Sequence, residues 1–262
     1  FGDLNFVVSN PSALTFVVND TIVATSGTEC FLVGSVKNLD GTTSARIEKR
    51  SLATGALDTN FDSDGVVETA INDFTEFTCV VSDGTYLYIG GNADQDGATN
   101  ATFTNTEWII EKRLETTGAL EDATFGAGTG RYKHNWGSGQ DKIYDIIHYA
   151  PSSHLFVAGS ATNGTSGGDQ WQISKHQKSD GTLLDNAPSD LSVNNETAIA
   201  MEVWTDTSIP ETYVFALGSD RSAGATLSEW RIEKRKLTNL NLDTSWNESS
   251  ASANDGGFVK TT

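Results

Sequence analysis

The feature that most limits the fold of this chain is an internal repeat of about sixty residues. Ile-Glu-Lys-Arg occurs at Ile47–Arg50, Ile110–Arg113 and Ile232–Arg235, and Ile173-Ser174-Lys175-His176 is a degenerate copy. Successive isoleucines are 63, 63 and 59 residues apart. Trp108, Trp171 and Trp230 stand two residues before the isoleucine in three copies, and Ala45 takes that place in the first. Upstream of each copy an apolar run ends in glycine, at Gly34, Gly90, Gly159 and Gly218. Downstream comes a turn and a short block: SLATGALDTNF, LETTGALEDATF, QKSDGTLLDNA and KLTNLNLDTSW. This alignment sets Ala187 against Phe61, Phe125 and Trp246. Four aligned copies of three blocks mean a repeat architecture in which each unit covers its neighbour.

Each repeat predicts four short strands. In the second, Glu76–Val81 is the first strand, and the turn Ser82-Asp83-Gly84 follows because glycine takes a positive φ at no steric cost. Tyr86–Ile89 is the second strand, stopped by Gly90-Gly91, and Trp108–Leu114 is the third. The fourth lies around Gly130–His134. Alternation puts Trp108, Ile110 and Lys112 on one face of the third strand and Ile109, Glu111 and Arg113 on the other. No segment shows helical periodicity. The expected fold is all-β: a β-propeller of four ~60-residue, four-stranded blades plus an extra terminal strand. A stacked β-solenoid is the rival, but its coils are normally much shorter. The chain reads as one repeat domain over 1–262, with approximate repeats at 10–70, 71–134, 135–194 and 195–262.

The ends carry an imbalance. Phe1–Val8 aligns without a gap on Phe61–Glu68, so residues 1–9 read as an extra fourth-type strand. Gly257–Thr261 resembles Gly65–Thr69 and reads as another. Five fourth-type strands then face four copies of the other three. A chain cut from a longer array is the expected cause; the alternative is a terminal strand that pairs outside its own ring. Phe6-Val7-Val8 has neither charge nor proline, so as an edge it could add to another chain and build filaments.

The order DGTYLYIGG, WIIEKR, TTGALEDATFG resembles the delta-60 repeat β-propeller family. The matching positions are Asp83, Gly84, Gly90, Arg113, Gly118, Leu120 and Phe125 in the second repeat. In the first they are Gly34, Arg50, Gly55, Leu57, Asp58 and Phe61. The third repeat departs with His176 and Ala187, the fourth with Asn239 and Trp246. Kelch propellers are a weaker match, through Gly90-Gly91 followed by Trp108. The resemblance implies a propeller of the secreted or cell-surface kind and no catalytic residues.

Composition narrows the partners. The formal net charge of −18 argues against nucleic acid or an anionic membrane surface. No apolar run approaches the length of a membrane span, so membrane insertion is not expected. The repeated strand holds seven of the 17 basic residues. They could form a ring of cations for an anionic ligand, but Glu and Arg two residues apart share a strand face and neutralise each other, so a structural role is expected. The repeated tryptophans are expected in the core or between blades.

Few residues suggest chemistry. Asn92, Asp94, Asp96 and Asn100, with Gly97, outline a Ca²⁺ loop and make calcium the one cofactor candidate. Phe103 stands where such a loop carries a glutamate, so a solvated turn is the plainer account. Asn60 to Gly65 has the same outline and is expected to be an ordinary Asp-Gly turn. Sequons fall at Asn19, Asn100, Asn163, Asn195 and Asn247, in or beside predicted turns. Cys30 and Cys79 lie on neighbouring blades and are candidates for a disulfide, although free thiols are the default on apolar strands. The four histidines are scattered without metal-ligand spacing, and no nucleophile or phosphate-loop motif occurs. The expected function is a non-enzymatic extracellular or cell-surface scaffold for protein interaction, adhesion or self-assembly. A carbohydrate-binding propeller and a propeller hydrolase or lyase are the alternatives.

Overall fold

The structure, a computed structural model, describes residues 15–95, 97, 105–162, 168–189, 194–221, 228–246 and 257–261. Among these residues there are sixteen strands and no helix. They form four separate four-stranded antiparallel sheets, each following the chain order of its strands. Sheet one is β1 (Thr15–Val23), β2 (Glu29–Lys37), β3 (Thr43–Ser51) and β4 (Val66–Thr69). Sheet two is β5 (Thr75–Ser82), β6 (Tyr86–Asp94), β7 (Thr106–Leu114) and β8 (Arg131–His134). Sheet three is β9 (Lys142–His148), β10 (His154–Thr162), β11 (Asp169–Gln177) and β12 (Leu183–Ser189). Sheet four is β13 (Thr197–Asp206), β14 (Glu211–Asp220), β15 (Glu229–Lys236) and β16 (Phe258–Thr261). Each is an up-and-down meander, the blade of a β-propeller, and the fold is all-β.

The chain divides into two compact units, Phe1–Asn135 with sheets one and two and Trp136–Thr262 with sheets three and four. Residues Phe258–Thr261 complete sheet four as its last strand. The extra strand expected within residues 1–9 lies outside the described residues.

The repeated tetrapeptide occupies equivalent places in β3, β7, β11 and β15 and gives every sheet two faces. Ile47, Ile110, Ile173 and Ile232 define the isoleucine face, and Glu48, Glu111, Ser174 and Glu233 the opposite, polar face. In the first unit the isoleucine face of sheet one packs on the polar face of sheet two. Phe31, Ile47, Phe61 and Val67 meet Phe77 and Ile89 in one buried cluster. In the second unit Phe156, Trp171 and Ile173 of sheet three meet Met201, Val214 and Ala216 of sheet four in the same way.

The glycines do not end the strands. β2, β6, β10 and β14 run three or more residues past Gly34, Gly90, Gly159 and Gly218, except that Asp220 closes β14 two residues on. Each instead faces a break in register on the first strand, between Val18 and Asp20, Phe77 and Cys79, Ile143 and Asp145, and Ala198 and Ala200. The bulged backbone leaves no room for a side chain. A Cβ at Gly34, Gly91 or Gly218 would lie 1.9, 2.1 or 1.9 Å from the carbonyl oxygen of Val17, Glu76 or Thr197. In sheet two the residue in register with Gly34 is therefore Gly91 rather than Gly90. Past the bulge, the Asp20 carboxylate accepts the Val80 N–H at 2.9 Å, and the Asp145 carboxylate accepts that of Met201 at 2.5 Å. Each fastens one sheet to the next within its unit.

Sheet three also corrects the alignment of Ala187. Ile173 faces Ala187 directly, just as Ile47 faces Val67, Ile110 faces Tyr132 and Ile232 faces Val259. In the other sheets a bridge to Leu57, Leu120 or Leu242 and a further loop precede the last strand. Sheet three lacks that loop, so Ala187 corresponds to Val67 and no residue takes the place of Phe61.

Candidate functional site

The polar face of sheets one, two and four is built around one buried glutamate each, Glu48, Glu111 and Glu233. Glu48 accepts hydrogen bonds from the Nε atoms of Arg46 at 2.9 Å and Arg50 at 2.7 Å. Glu111 does so from Arg113 and Arg131, each at 2.6 Å. Glu233 pairs with Arg231 and, at 2.7 Å, with Arg235. The same arginines close the turn that follows. Arg50, Arg113 and Arg235 each donate to the carbonyl five residues on, at Gly55, Gly118 and Leu240, over 2.7 to 2.8 Å. In sheet three the His176 ring lies 3.1 Å from the Gly181 carbonyl and 2.8 Å from Ser174 Oγ, the same device with histidine and serine in place of arginine and glutamate.

The lysines on the isoleucine face are also engaged. Lys49 pairs with Asp58 at 2.9 Å, Lys112 with Glu121 at 3.7 Å and Lys234 with Asp243 at 2.7 Å. Lys175, in register with Asp185, donates to the carbonyls of Leu237 and Thr238. All seven basic residues of the repeated strand thus have partners: the arginines pair with the glutamate two residues before, as the spacing predicts, and the lysines engage groups that the spacing did not indicate. They also fasten neighbouring sheets, since Arg113 donates to Thr69 of sheet one at 3.0 Å. Arg231 is fully buried, lies 4.6 Å over the Trp171 ring, and pairs with Glu196 at 3.3 Å and Asp220 at 3.5 Å.

Of the calcium candidates, Asn92 and Asp94 are placed, both buried on β6, while Asp96 and Asn100 lie outside the described residues. The Asn92 amide donates to Glu76 Oε1 at 2.9 Å, and its own oxygen is buried with no hydrogen-bond donor. Asp94 accepts the Gly97 N–H at 3.0 Å. Among the described residues no group of three or more His, Cys, Asp or Glu side chains could hold a metal. Asp58 accepts the Asn60 N–H at 3.1 Å and Asp64 that of Val66, the first residue of β4, at 2.9 Å, so Asn60–Gly65 forms a turn.

Cys30 and Cys79 are free thiols, which removes the disulfide candidate. Cys30 faces Val23 and Arg50 in sheet one, while Cys79 faces Gly90 in sheet two, so each belongs to its own sheet's ladder. Burial pushes the Cys30 thiol above its usual range. Of the sequons, Asn100, Asn163 and Asn247 lie outside the described residues. Asn195 is exposed just before β13. Asn19 lies within β1 at its bulge rather than in a turn, and its amide donates to the Phe77 carbonyl at 2.7 Å.

The feature with the means to bind something is the isoleucine face of sheet four. Trp108 and Trp171 are fully buried, but Trp230, expected to be packed like them, is 70% exposed. Ile199 is 50% and Trp204 46% exposed on the same sheet. Two shallow hollows mark this sheet. One, of about 180 Å³, is lined by Ile199, Leu217 and Trp230. The other, of about 480 Å³, is lined by Trp204, Phe215 and Trp246, with Glu202 and Lys234. Trp246 meets Phe215 edge-on at 5.5 Å between ring centres, and Trp204 stacks on Tyr213 at 6.2 Å. The Glu211 carboxylate accepts the Tyr213 hydroxyl at 2.6 Å and pushes that phenol up to about 12. Sequence reasoning missed Trp204 and Trp246 as a pair, because forty-odd residues separate them. The repeat held the clue: Trp246 aligns with Phe61, and Phe215 is in register with Phe31. Phe31 and Phe61 are fully buried.

No protein-family model and no curated protein matches the chain. Solved structures do match. One is the β-propeller domain of the Trilobed protease from Pyrococcus furiosus, described as having an open velcro topology. It shares 12% identity at a TM-score of 0.44, over 87% of this chain and 58% of the neighbour. The chain thus spans less than two thirds of that neighbour's length.

Proposed function

We propose that the chain is a non-enzymatic β-propeller scaffold of the cell exterior that works by protein–protein contact. The observation that carries this reading is the isoleucine face of sheet four, with Trp230, Trp204 and Ile199 in solvent. Exposed aromatic patches of this kind mark interaction sites. The polar strand residues support it from the other side, since each is committed to a structural partner. An extracellular setting fits the charge of −18 and the exposed sequon at Asn195.

Radical footprinting tests the reading. Trp204 and Trp230 should be protected in the protein's native extracellular fraction and labelled in dilute purified chain. Equal labelling in both would overturn it. The hollow of Trp204, Phe215 and Trp246 supports a second reading, a saccharide site. Protection of Trp204 by added oligosaccharide, without protection of Trp230, would favour that one.

A further inference from the structure

The partner for this face can be read from the sheets that already cover its equivalents. Trp171 holds the position of Trp230 one sheet earlier and is buried by three devices of sheet four. Its indole N–H donates to the Ser219 carbonyl at 2.8 Å, Arg231 lies over its ring, and the small apolar residues Ala198 and Val203 pack against sheet three. Sheet one carries the same set at the same registers. Gly34 and Ser35 match Gly218 and Ser219, and Arg46-Ile-Glu48-Lys-Arg50 matches Arg231-Ile-Glu233-Lys-Arg235. Arg46 is paired to Glu48 and Glu68 and lies 5.5 Å over the Phe16 ring of its own sheet, Phe16 and Val36 standing where sheet four has Glu196 and Asp220 as partners of Arg231. Its charge is thus neutralised before any contact forms. Val18 and Val23 match Ala198 and Val203. Ala198 is fully buried, whereas Val18 is 45% and Val23 55% exposed.

We propose that the isoleucine face of sheet four docks onto the polar face of sheet one in a second copy of this chain, repeating the packing of sheet three on sheet four. This rests on the interaction role proposed above and names its partner. A face of three strands about nine residues long and a last strand of four, at ~3.3 Å per residue and ~4.8 Å between strands, covers roughly 500 Å² before side-chain relief, against the ~800 Å² per partner of a standard interface. The two faces differ, so the contact is head-to-tail and extends to rings or filaments.

Sedimentation and light scattering of the full chain across the micromolar range test this. The mass should rise with concentration. Trp230→Ser, on a side chain mostly in solvent, should weaken association by roughly thirtyfold or more. Val18→Glu should do the same from the other face. An equal mixture of the two variants should form a dimer and stop there, because each retains one intact face. Ile199→Asp and Val23→Glu serve as second variants on each face should a first one misfold. A chain that stays monomeric at every concentration overturns the proposal. So does Val18→Glu associating like wild type while Trp230→Ser does not, which would mean a symmetric contact of two fourth sheets. If the purified chain is monomeric but Trp204 and Trp230 are protected in the native fraction, the copy is the wrong partner and the interaction role stands.

Discussion

Replacing Glu111 by glutamine tests the buried ladder most directly. Glu111 is fully buried and binds two arginines through different oxygens, Arg113 and Arg131, each at 2.6 Å. Glutamine keeps the volume and removes the charge. Arg113 stays buried, with an 8% exposed side chain, next to a neutral neighbour. Removing one partner of a buried pair costs about 3–5 kcal/mol. The unit Phe1–Asn135 has an unfolding entropy of about 280 cal/mol/K at ~2.1 cal/mol/K per residue, so its Tm should fall by about 10–18 °C. Sheet three supplies the control, because Ser174 and His176 fill the same two positions in place of the glutamate and arginine. The double change Glu111→Ser with Arg113→His should recover about half of the loss, since Arg131 is 28% exposed and can turn to water. Thermal and urea unfolding followed by circular dichroism measure both. A Glu111→Gln chain within about 0.5 kcal/mol of wild type would refute the reasoning. A double variant no better than the single would refute the assignment of Ser174 and His176 as the counterparts of Glu111 and Arg113.

Trp171→Ala should destabilise the second unit by about 3–5 kcal/mol, whereas Trp230→Ala in the dilute monomer should stay within about 0.5 kcal/mol of wild type; urea midpoints separate the two. Gly218→Ala forces a Cβ onto the Thr197 carbonyl and should cost about 1–3 kcal/mol, with faster hydrogen exchange confined to the β13 bulge. Burial pushes the Asp141 carboxyl up to about 6, above the ~3.9 of an unfolded chain. Its stabilising contribution is therefore complete below about pH 4 and lost as pH rises through 6, and Asp141→Asn should flatten that part of the pH–stability curve. On secretion from a glycosylating host, peptide mapping should find glycan at Asn195 and none at Asn19, whose amide is held by the Phe77 carbonyl.

The sequence disclosed what is local and repeated, and concealed what depends on a partner strand or sheet. The strand order and the Glu–Arg pairing follow from two-residue alternation, and the structure places Glu48 with Arg50, Glu111 with Arg113 and Glu233 with Arg235 accordingly. Gly34 and Gly218 looked like strand ends because glycine commonly marks a turn. Their role comes from a bulge on the paired strand, which no single-strand pattern records. The sequence blocks set Ala187 against Phe61 because the turn after the basic residue has one length throughout, His176 facing Leu183 as Arg50 faces Leu57, while the loop that follows that leucine is missing from sheet three, and only the ladder register shows it. Trp230 repeats Trp108 and Trp171 in spacing but not in burial, since burial belongs to whatever sheet lies against it. That difference is why the interaction face could not be separated from the core by pattern alone.

The missing loop of sheet three also bears on the order in which the second unit assembles. Ile173 and its cross-strand partner Ala187 are 14 residues apart, while Ile232 and Val259 are 27 apart. Loop-closure entropy makes the longer connection more costly by about 0.6 kcal/mol, roughly a threefold difference in the probability of meeting. The turn bond is common to both, from Gln177 to Thr182 in sheet three and from Lys236 to Asn241 in sheet four, so the loop alone separates them. Sheet three can thus close its last strand while sheet four is still open. A growing second unit then presents a finished isoleucine face, Trp171 included, as the template on which β13 to β15 settle before β16 arrives.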